Sequence, residues 1–170
     1  MPQVTFKGQP VILKGNEVKV GDQAPSFTVV ANDLSEVTLD QLDGKIKIIN
    51  AVPSIDTPVC EQQTRRFNEE ASQLDDVTVV AISVDLPFAQ KRWCAAEGID
   101  RVVLLSDHRE LSFGKAYGVL IPHLRLLARA VFVIDTTNTV IHAQYVPEVT
   151  EQPDYDAVLQ AVRQALSSQS

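Results

Sequence analysis

Two cysteines, Cys60 and Cys94, are the only thiols in this chain. Cys60 closes the run Pro53-Ser54-Ile55-Asp56-Thr57-Pro58-Val59-Cys60, which follows the apolar stretch from Ile46 to Val52. That pattern reads as a strand, a short loop and the start of a helix. Thr57 is a favoured N-cap residue and Pro58 a favoured first helical residue, which puts Cys60 in the first turn. A sulfur there faces unpaired backbone N–H groups and the positive end of the helix dipole. Both favour the thiolate, which is the nucleophilic form. A lone cysteine is most often a small buried hydrophobe. The Thr-Pro-x-Cys helix start argues here for redox chemistry at sulfur.

The neighbours of Cys60 set further demands. Asp56 and Glu61 are close in sequence and, as anions, oppose a thiolate, so a compensating cation is expected in space. Arg129, which precedes a strand at residues 130–134, and Arg65 and Arg66, about one and a half turns beyond Cys60, are the candidates. The Thr57 hydroxyl has a donor and two lone pairs, so beyond capping it can donate to a substrate oxygen and accept from a thiol. Pro53 and Pro58 stiffen the loop, and a rigid loop can shield a thiolate from water. Cys94 lies within a second helix, in Gln90-Lys91-Arg92-Trp93-Cys94-Ala95-Ala96-Glu97-Gly98. Two readings of it stand together: an interior helix residue beside Trp93, or a redox partner of Cys60. Bridged Cα atoms lie within about 7 Å, so the second reading requires one helix to unwind in part. A bridge would close a loop of about 35 residues, worth roughly 3–4 kcal/mol in the chain-entropy model.

The elements that must position these residues are legible in the pattern. Residues 11–14 and 18–20 flank Gly15-Asn16-Glu17 as an N-terminal hairpin. Strands are expected at 28–31, 46–51, 77–84, 102–105, 130–134 and 140–145, with a turn marked by Leu39, Leu42 and Gly44. The 77–84 stretch is apolar, β-branched and long enough to be buried on both faces. Helices are expected from Pro58 to about Leu74, with Val59, Phe67, Ala71 and Leu74 as the buried face, and from Phe88 to about Glu97, opened by Pro87 and stopped by Gly98. Leu111 to Tyr117 gives a helical turn or two, and Pro153-Asp154 starts a last helix through Leu166, followed by a frayed tail at 167–170. A βαβα order followed by a β-hairpin and a terminal helix is that of an α/β, thioredoxin-like sheet, here with an N-terminal extension. One domain spanning residues 1–170 is expected.

Composition narrows the chemistry. The chain has 170 residues, enough for a sizeable core in one domain. Its formal net charge of −7 argues against nucleic acid or an anionic membrane as the main partner. No apolar run approaches the roughly 20 residues of a membrane span, and no apolar export segment opens the chain, so a cytoplasmic address is expected. In a reducing compartment a cysteine pair is more often transient and catalytic than a permanent staple. His108, His123 and His142 are not spaced as metal ligands, and neither a metal nor an organic cofactor is expected. A hydrolytic pairing of Cys60 with His142 is the weaker alternative. The chain lacks Cys-x-x-Cys, the usual equipment of a thioredoxin-type disulfide exchanger.

The Pro53 to Cys60 run resembles the Pro-x-x-x-Thr/Ser-x-x-Cys motif of peroxiredoxins, in the form found in bacterial thiol peroxidases, the atypical two-cysteine branch. Ser83-Val84-Asp85-Leu86-Pro87-Phe88-Ala89-Gln90, followed by Arg92-Trp93-Cys94, is similar to that branch's segment around its resolving cysteine. Leu127-Ala128-Arg129-Ala130-Val131-Phe132 resembles its arginine-bearing strand, and residues 8–22 its N-terminal hairpin. The resemblance implies a thioredoxin fold, Cys60 as peroxidatic cysteine, Cys94 as resolving cysteine, Thr57 and Arg129 as partners of the thiolate, and Pro53 as its shield. It also implies a homodimer, an intramolecular Cys60–Cys94 disulfide, reduction by thioredoxin, and alkyl or lipid hydroperoxides as favoured substrates alongside hydrogen peroxide. A peroxide sensor and a thiol–disulfide exchanger are the alternative functions.

Overall fold

The computed structural model of the chain describes residues 3–42, 46–71, 74, 76–99 and 101–168. The expected parts of Gly44 in a turn, of the Ala71 side chain in a buried face and of residues 169–170 in a tail lie outside the described residues. Strands β1 (Val4–Phe6) and β2 (Gln9–Val11) pair as an antiparallel hairpin. β3 (Thr28–Val30) and β4 (Glu36–Thr38) form another, followed by a single 3-10 turn at Leu39–Gln41. Then come β5 (Ile46–Ala51), α1 (Pro58–Ala71), β6 (Val77–Ser83), α2 (Pro87–Glu97) and β7 (Val102–Ser106). α3 (Ser112–Ala116), the short β8 (Leu120–Ile121) and β9 (Leu126–Leu127), β10 (Ala130–Ile134), β11 (Val140–Tyr145) and α4 (Tyr155–Ser168) follow.

The main sheet runs β11-β10-β5-β6-β7-β3-β4, with β5, β6 and β7 parallel and the outer pairs antiparallel. Parallel neighbours need crossovers, which α1 and α2 supply. Side chains on a strand alternate between faces, so each central strand feeds two cores. Ile48, Val79, Leu104 and Val133 pack with Phe67 of α1, Trp93 and Cys94 of α2 and Val158 of α4. Ile49, Val80, Leu105 and Phe132 pack on the other side with Phe27, Phe113 and Tyr117. The two cysteine-bearing helices therefore share one face of the sheet. They are also tied directly: Arg65 of α1 pairs with Glu97 of α2.

Two sequence expectations are corrected. The N-terminal extension is a hairpin, but its strands are β1 and β2, turning at Lys7-Gly8, rather than residues 11–14 and 18–20. The segment around Gly15 pairs elsewhere: the Lys14 amide donates to the Leu120 carbonyl at 2.8 Å and the Asn16 amide to the Lys115 carbonyl at 3.2 Å. Gly15 and Gly118 are needed there, because a Cβ on Gly15 would meet the Lys115 carbonyl oxygen at 2.3 Å. Hence those glycines mark a close approach of backbones, not a local turn.

The second correction concerns α1. Its buried face is Cys60, Gln63, Thr64 and Phe67, an i, i+3, i+4, i+7 stripe, while Val59 and Leu74 are only partly buried. Of the expected face only Phe67 is fully buried among the described side chains, and two polar residues, Gln63 and Thr64, are buried beside it. Gly98 ends α2 as expected, in the left-handed conformation at φ 67°. The helix expected at Leu111–Tyr117 is α3, and β4, β8 and β9 are elements the strand pattern did not announce. They are too short for a period of two to register.

Candidate active site

The loop between β5 and α1 builds one wall of the site. Pro53 is buried where β5 ends. The Thr57 carbonyl accepts from the Glu61 amide at 2.9 Å, and the Thr57 Oγ1 accepts a long bond of 3.4 Å from the Cys60 amide. Thr57 is thus the N-cap, and Cys60 is the third helical residue, as the sequence predicted. The Thr57 hydroxyl proton goes to the Ser54 carbonyl at 3.2 Å, so both ends of the hydroxyl are engaged within the loop.

Arg129 forms the other wall. It lies between β9 and β10, where its carbonyl accepts from the Val146 amide at 3.0 Å. The residue is 1% exposed, and its guanidinium donates three ways: Nε to the Val149 carbonyl at 2.8 Å, Nη1 to Gln63 Oε1 at 2.5 Å, and Nη2 to Cys60 Sγ at 3.1 Å. Cys60 itself is wholly buried. Burying a cation is costly unless it is paired. Of the three acceptors, two are neutral amide oxygens, and the sulfur is the one able to carry a matching negative charge. A guanidinium facing that sulfur is what a nucleophilic thiolate requires.

Of the three cation candidates, only Arg129 reaches Cys60. Arg65 is taken up by Glu61 and Glu97, and Arg66 pairs with Glu70 and lies over the Tyr155 ring. The two acids expected to oppose the thiolate are also accounted for, since Asp56 is exposed and the Glu61 carboxylate is held by Arg65. Sequence reasoning missed Gln63. Its Oε1 fixes Arg129, while its Nε2 donates to Asn50 Oδ1 at 2.9 Å, and Asn50 Nδ2 donates to the Val80 carbonyl at 3.2 Å. Gln63, Asn50 and Arg129 are all buried, so this chain of bonds orients the guanidinium from behind. The available signal was helical spacing, since Gln63 follows Cys60 by three positions.

Cys94 is in different surroundings. It is half-buried on α2 against the apolar core, with a free thiol, and burial pushes its thiol pKa up. Its carbonyl accepts from the Ile99 amide at 3.2 Å where α2 ends. Cys60 and Cys94 are both free, each within an intact helix, so the structure does not join them. His142, the hydrolytic alternative, pairs across strands with Val133, while the sulfur of Cys60 is held by Arg129. Among the described residues, no group of three or more His, Cys, Asp or Glu side chains is arranged to hold a metal ion. None of the described helices is long and apolar enough to cross a membrane. A groove of about 600 Å³ opens beside the loop, lined by Ile55, Asp56, Asp85, Leu86, Phe88 and Trp93 among others. Leu86 and Phe88 are 53% and 65% exposed there.

A mixed sheet of this order, with helices on its faces and a cysteine at a helix start facing a buried arginine, defines a thioredoxin-like protein. A family model described as Redoxin matches residues 19–159, and the chain belongs to that family. A thiol peroxidase of Halalkalibacterium halodurans is 62% identical over 166 residues, covering 98% of this chain and 100% of that protein. A thiol peroxidase of Bacillus subtilis is 59% identical over 163 residues, covering 96% of this chain and 98% of that protein. The crystal structure of a peroxiredoxin-like protein from Aquifex aeolicus matches with a TM-score of 0.90 at 45% identity, over 97% of this chain and 98% of that one.

Proposed function

We propose that the chain is a thiol peroxidase that reduces hydroperoxides at Cys60, uses Cys94 to resolve the oxidised sulfur, and is returned to the dithiol by thioredoxin. The carrying observation is the 3.1 Å contact between the buried Arg129 guanidinium and Cys60 Sγ. The Cys60 thiolate attacks the terminal oxygen of a hydroperoxide. An S–O bond forms as the O–O bond breaks, and the alkoxide leaves with a proton from solvent as the alcohol. Arg129 and the Thr57 hydroxyl donate to the oxygens as charge moves onto the leaving group. Thr57 turns its hydroxyl from the Ser54 carbonyl to do so.

Cys60 is then a sulfenic acid. The Cys94 thiol attacks it, a disulfide forms and water leaves, which requires α1 or α2 to open locally. A dithiol reduces the disulfide by two electrons and restores both cysteines. Pro53 shields the thiolate. Alkyl hydroperoxides are the favoured substrates in this reading, for which the apolar Leu86 and Phe88 beside the loop give support. A homodimer in the cytoplasm, with no metal or organic cofactor, completes it. The test is to mix the reduced protein with one equivalent of cumene hydroperoxide in the presence of dimedone, which traps sulfenic acids. The label is expected on Cys60, most strongly in Cys94→Ser. Label absent from Cys60 overturns the proposal.

A further inference from the structure

Asp85, so far only a lining residue of the groove, joins the Cys60 loop to the segment that leads from β6 into the Cys94 helix. Oδ1 accepts from Ser54 Oγ at 2.8 Å, and Oδ2 accepts from the Ile55 amide at 2.9 Å and from Ser83 Oγ at 2.5 Å. The bonds then run on toward the sulfur. Ser54 offers its carbonyl to the Thr57 hydroxyl, and Thr57 Oγ1 accepts from the Cys60 amide. In the other direction Asp85 lies two residues before Pro87, where α2 begins. The backbone there is pinned to the sheet, because Ser106 Oγ donates to the Asp85 carbonyl at 2.5 Å. Gln90 of α2 donates to Ser83 Oγ at 3.1 Å and to the Leu105 carbonyl at 2.8 Å.

We infer that Asp85 is a positioning residue that clips the loop of residues 53–57 to the start of α2, and that the strength of this clip sets how often oxidised Cys60 leaves its pocket for Cys94. This rests on the peroxidase reading given above. With the clip closed, Thr57 is presented to the peroxide and Cys60 stays under Arg129. For the disulfide to form, the first turn of α1 or the start of α2 must open. The carboxylate holds the loop and Ser83, to which Gln90 of α2 also donates, and the Asp85 backbone leads into α2, so the clip resists either motion. The competing event is a second oxidation in the closed state: a sulfenate attacks another hydroperoxide, a second S–O bond forms, and alcohol leaves with sulfinate on Cys60. A tighter clip gives faster first oxidation and more sulfinate per turnover. A looser clip gives the reverse.

The experiment compares wild type, Asp85→Asn, Ser54→Ala and, as control, Glu97→Gln, which removes the charge of the Arg65–Glu97 pair between α1 and α2 without touching the loop. Asp85→Asn puts an amide donor against groups that all donate, and Ser54→Ala deletes one link only. The first oxidation by cumene hydroperoxide is timed by stopped flow. Sulfinate on Cys60 is counted by mass spectrometry across increasing peroxide with a thioredoxin system present. The first oxidation is expected to slow about tenfold in Asp85→Asn and about threefold in Ser54→Ala, near the cost of one to two hydrogen bonds. The peroxide level giving half sulfinate should rise in the same order, and Glu97→Gln should match wild type in both. Unchanged sulfinate partition in both loop variants overturns the inference, whether or not they oxidise more slowly. So does an equal shift in Glu97→Gln. If Asp85→Asn does not fold, Ser54→Ala carries the comparison against Glu97→Gln by itself. A wild type that never oxidises at Cys60 overturns the peroxidase reading, and that is scored before any variant is read.

Discussion

The surroundings of the two cysteines differ in kind. Cys60 is enclosed by directed bonds, with Arg129 on its sulfur, Thr57 on its amide and Thr64 Oγ1 donating to its carbonyl at 2.9 Å. Cys94 has apolar packing, half exposure and a thiol whose pKa burial raises. The first environment suits a sulfur that must attack in one fixed geometry. The second suits a thiol that stays protonated and waits for a loop or helix to move toward it. Rigid bonding favours the chemical step, and loosely held packing favours the conformational one.

Breaking that contrast from the strong side gives the largest effects. Cys60→Ser should abolish peroxide consumption in a coupled assay while leaving the fold's circular dichroism unchanged. Arg129→Lys keeps a positive charge but loses the fork that reaches Cys60, Gln63 and Val149 together. The rate of first oxidation is expected to fall about a hundredfold, the order seen when a preorganised donor is removed. Thr57→Val retains the shape but removes the hydroxyl, and about a tenfold loss in the same stopped-flow measurement is expected. From the weak side, Cys94→Ser should leave the first oxidation within about twofold of wild type yet stop cycling with thioredoxin. A large effect of Cys94→Ser on the first step would erase the contrast between the two sites.

The smallest expected effect lies at the tie of the N-terminal hairpin. Glu148 accepts from the Thr150 amide and hydroxyl, the Gly8 amide and the Thr5 hydroxyl, and so ties the N-terminal hairpin down. Those bonds, led by the Thr150 hydroxyl, hold its carboxyl down at about 2. A depressed carboxyl contributes stability above the ordinary value of 4.5, and this contribution is lost as pH falls through about 2. Because the group is exposed, the effect is modest. Thermal melting should place Glu148→Gln slightly below wild type at pH 6 and equal to it near pH 2.

Much of this site was legible in the chain because its signals are local. Thr57, Pro58 and Cys60 carry cap, first helical residue and first-turn thiol within four positions, and Arg129 stands against an apolar strand where an unpaired charge needs a reason. Gln63 and Asn50 were not legible. Amides are usually surface residues, and only the packing of α1 on β5 and β6 turns these two inward. The misplaced N-terminal hairpin has the opposite cause. Gly15-Asn16 looks like a turn, but its glycine serves a contact with Lys115, about a hundred residues on, which no local pattern encodes.

The division of labour between the two cysteines is tested most directly by counting turnovers. Reduced protein is supplied with excess cumene hydroperoxide and a thioredoxin system, and peroxide consumed per chain is compared for wild type, Cys60→Ser and Cys94→Ser. The account predicts many turnovers for wild type, none for Cys60→Ser and a single one for Cys94→Ser. One turnover or fewer in wild type, or sustained turnover in Cys60→Ser, would contradict it.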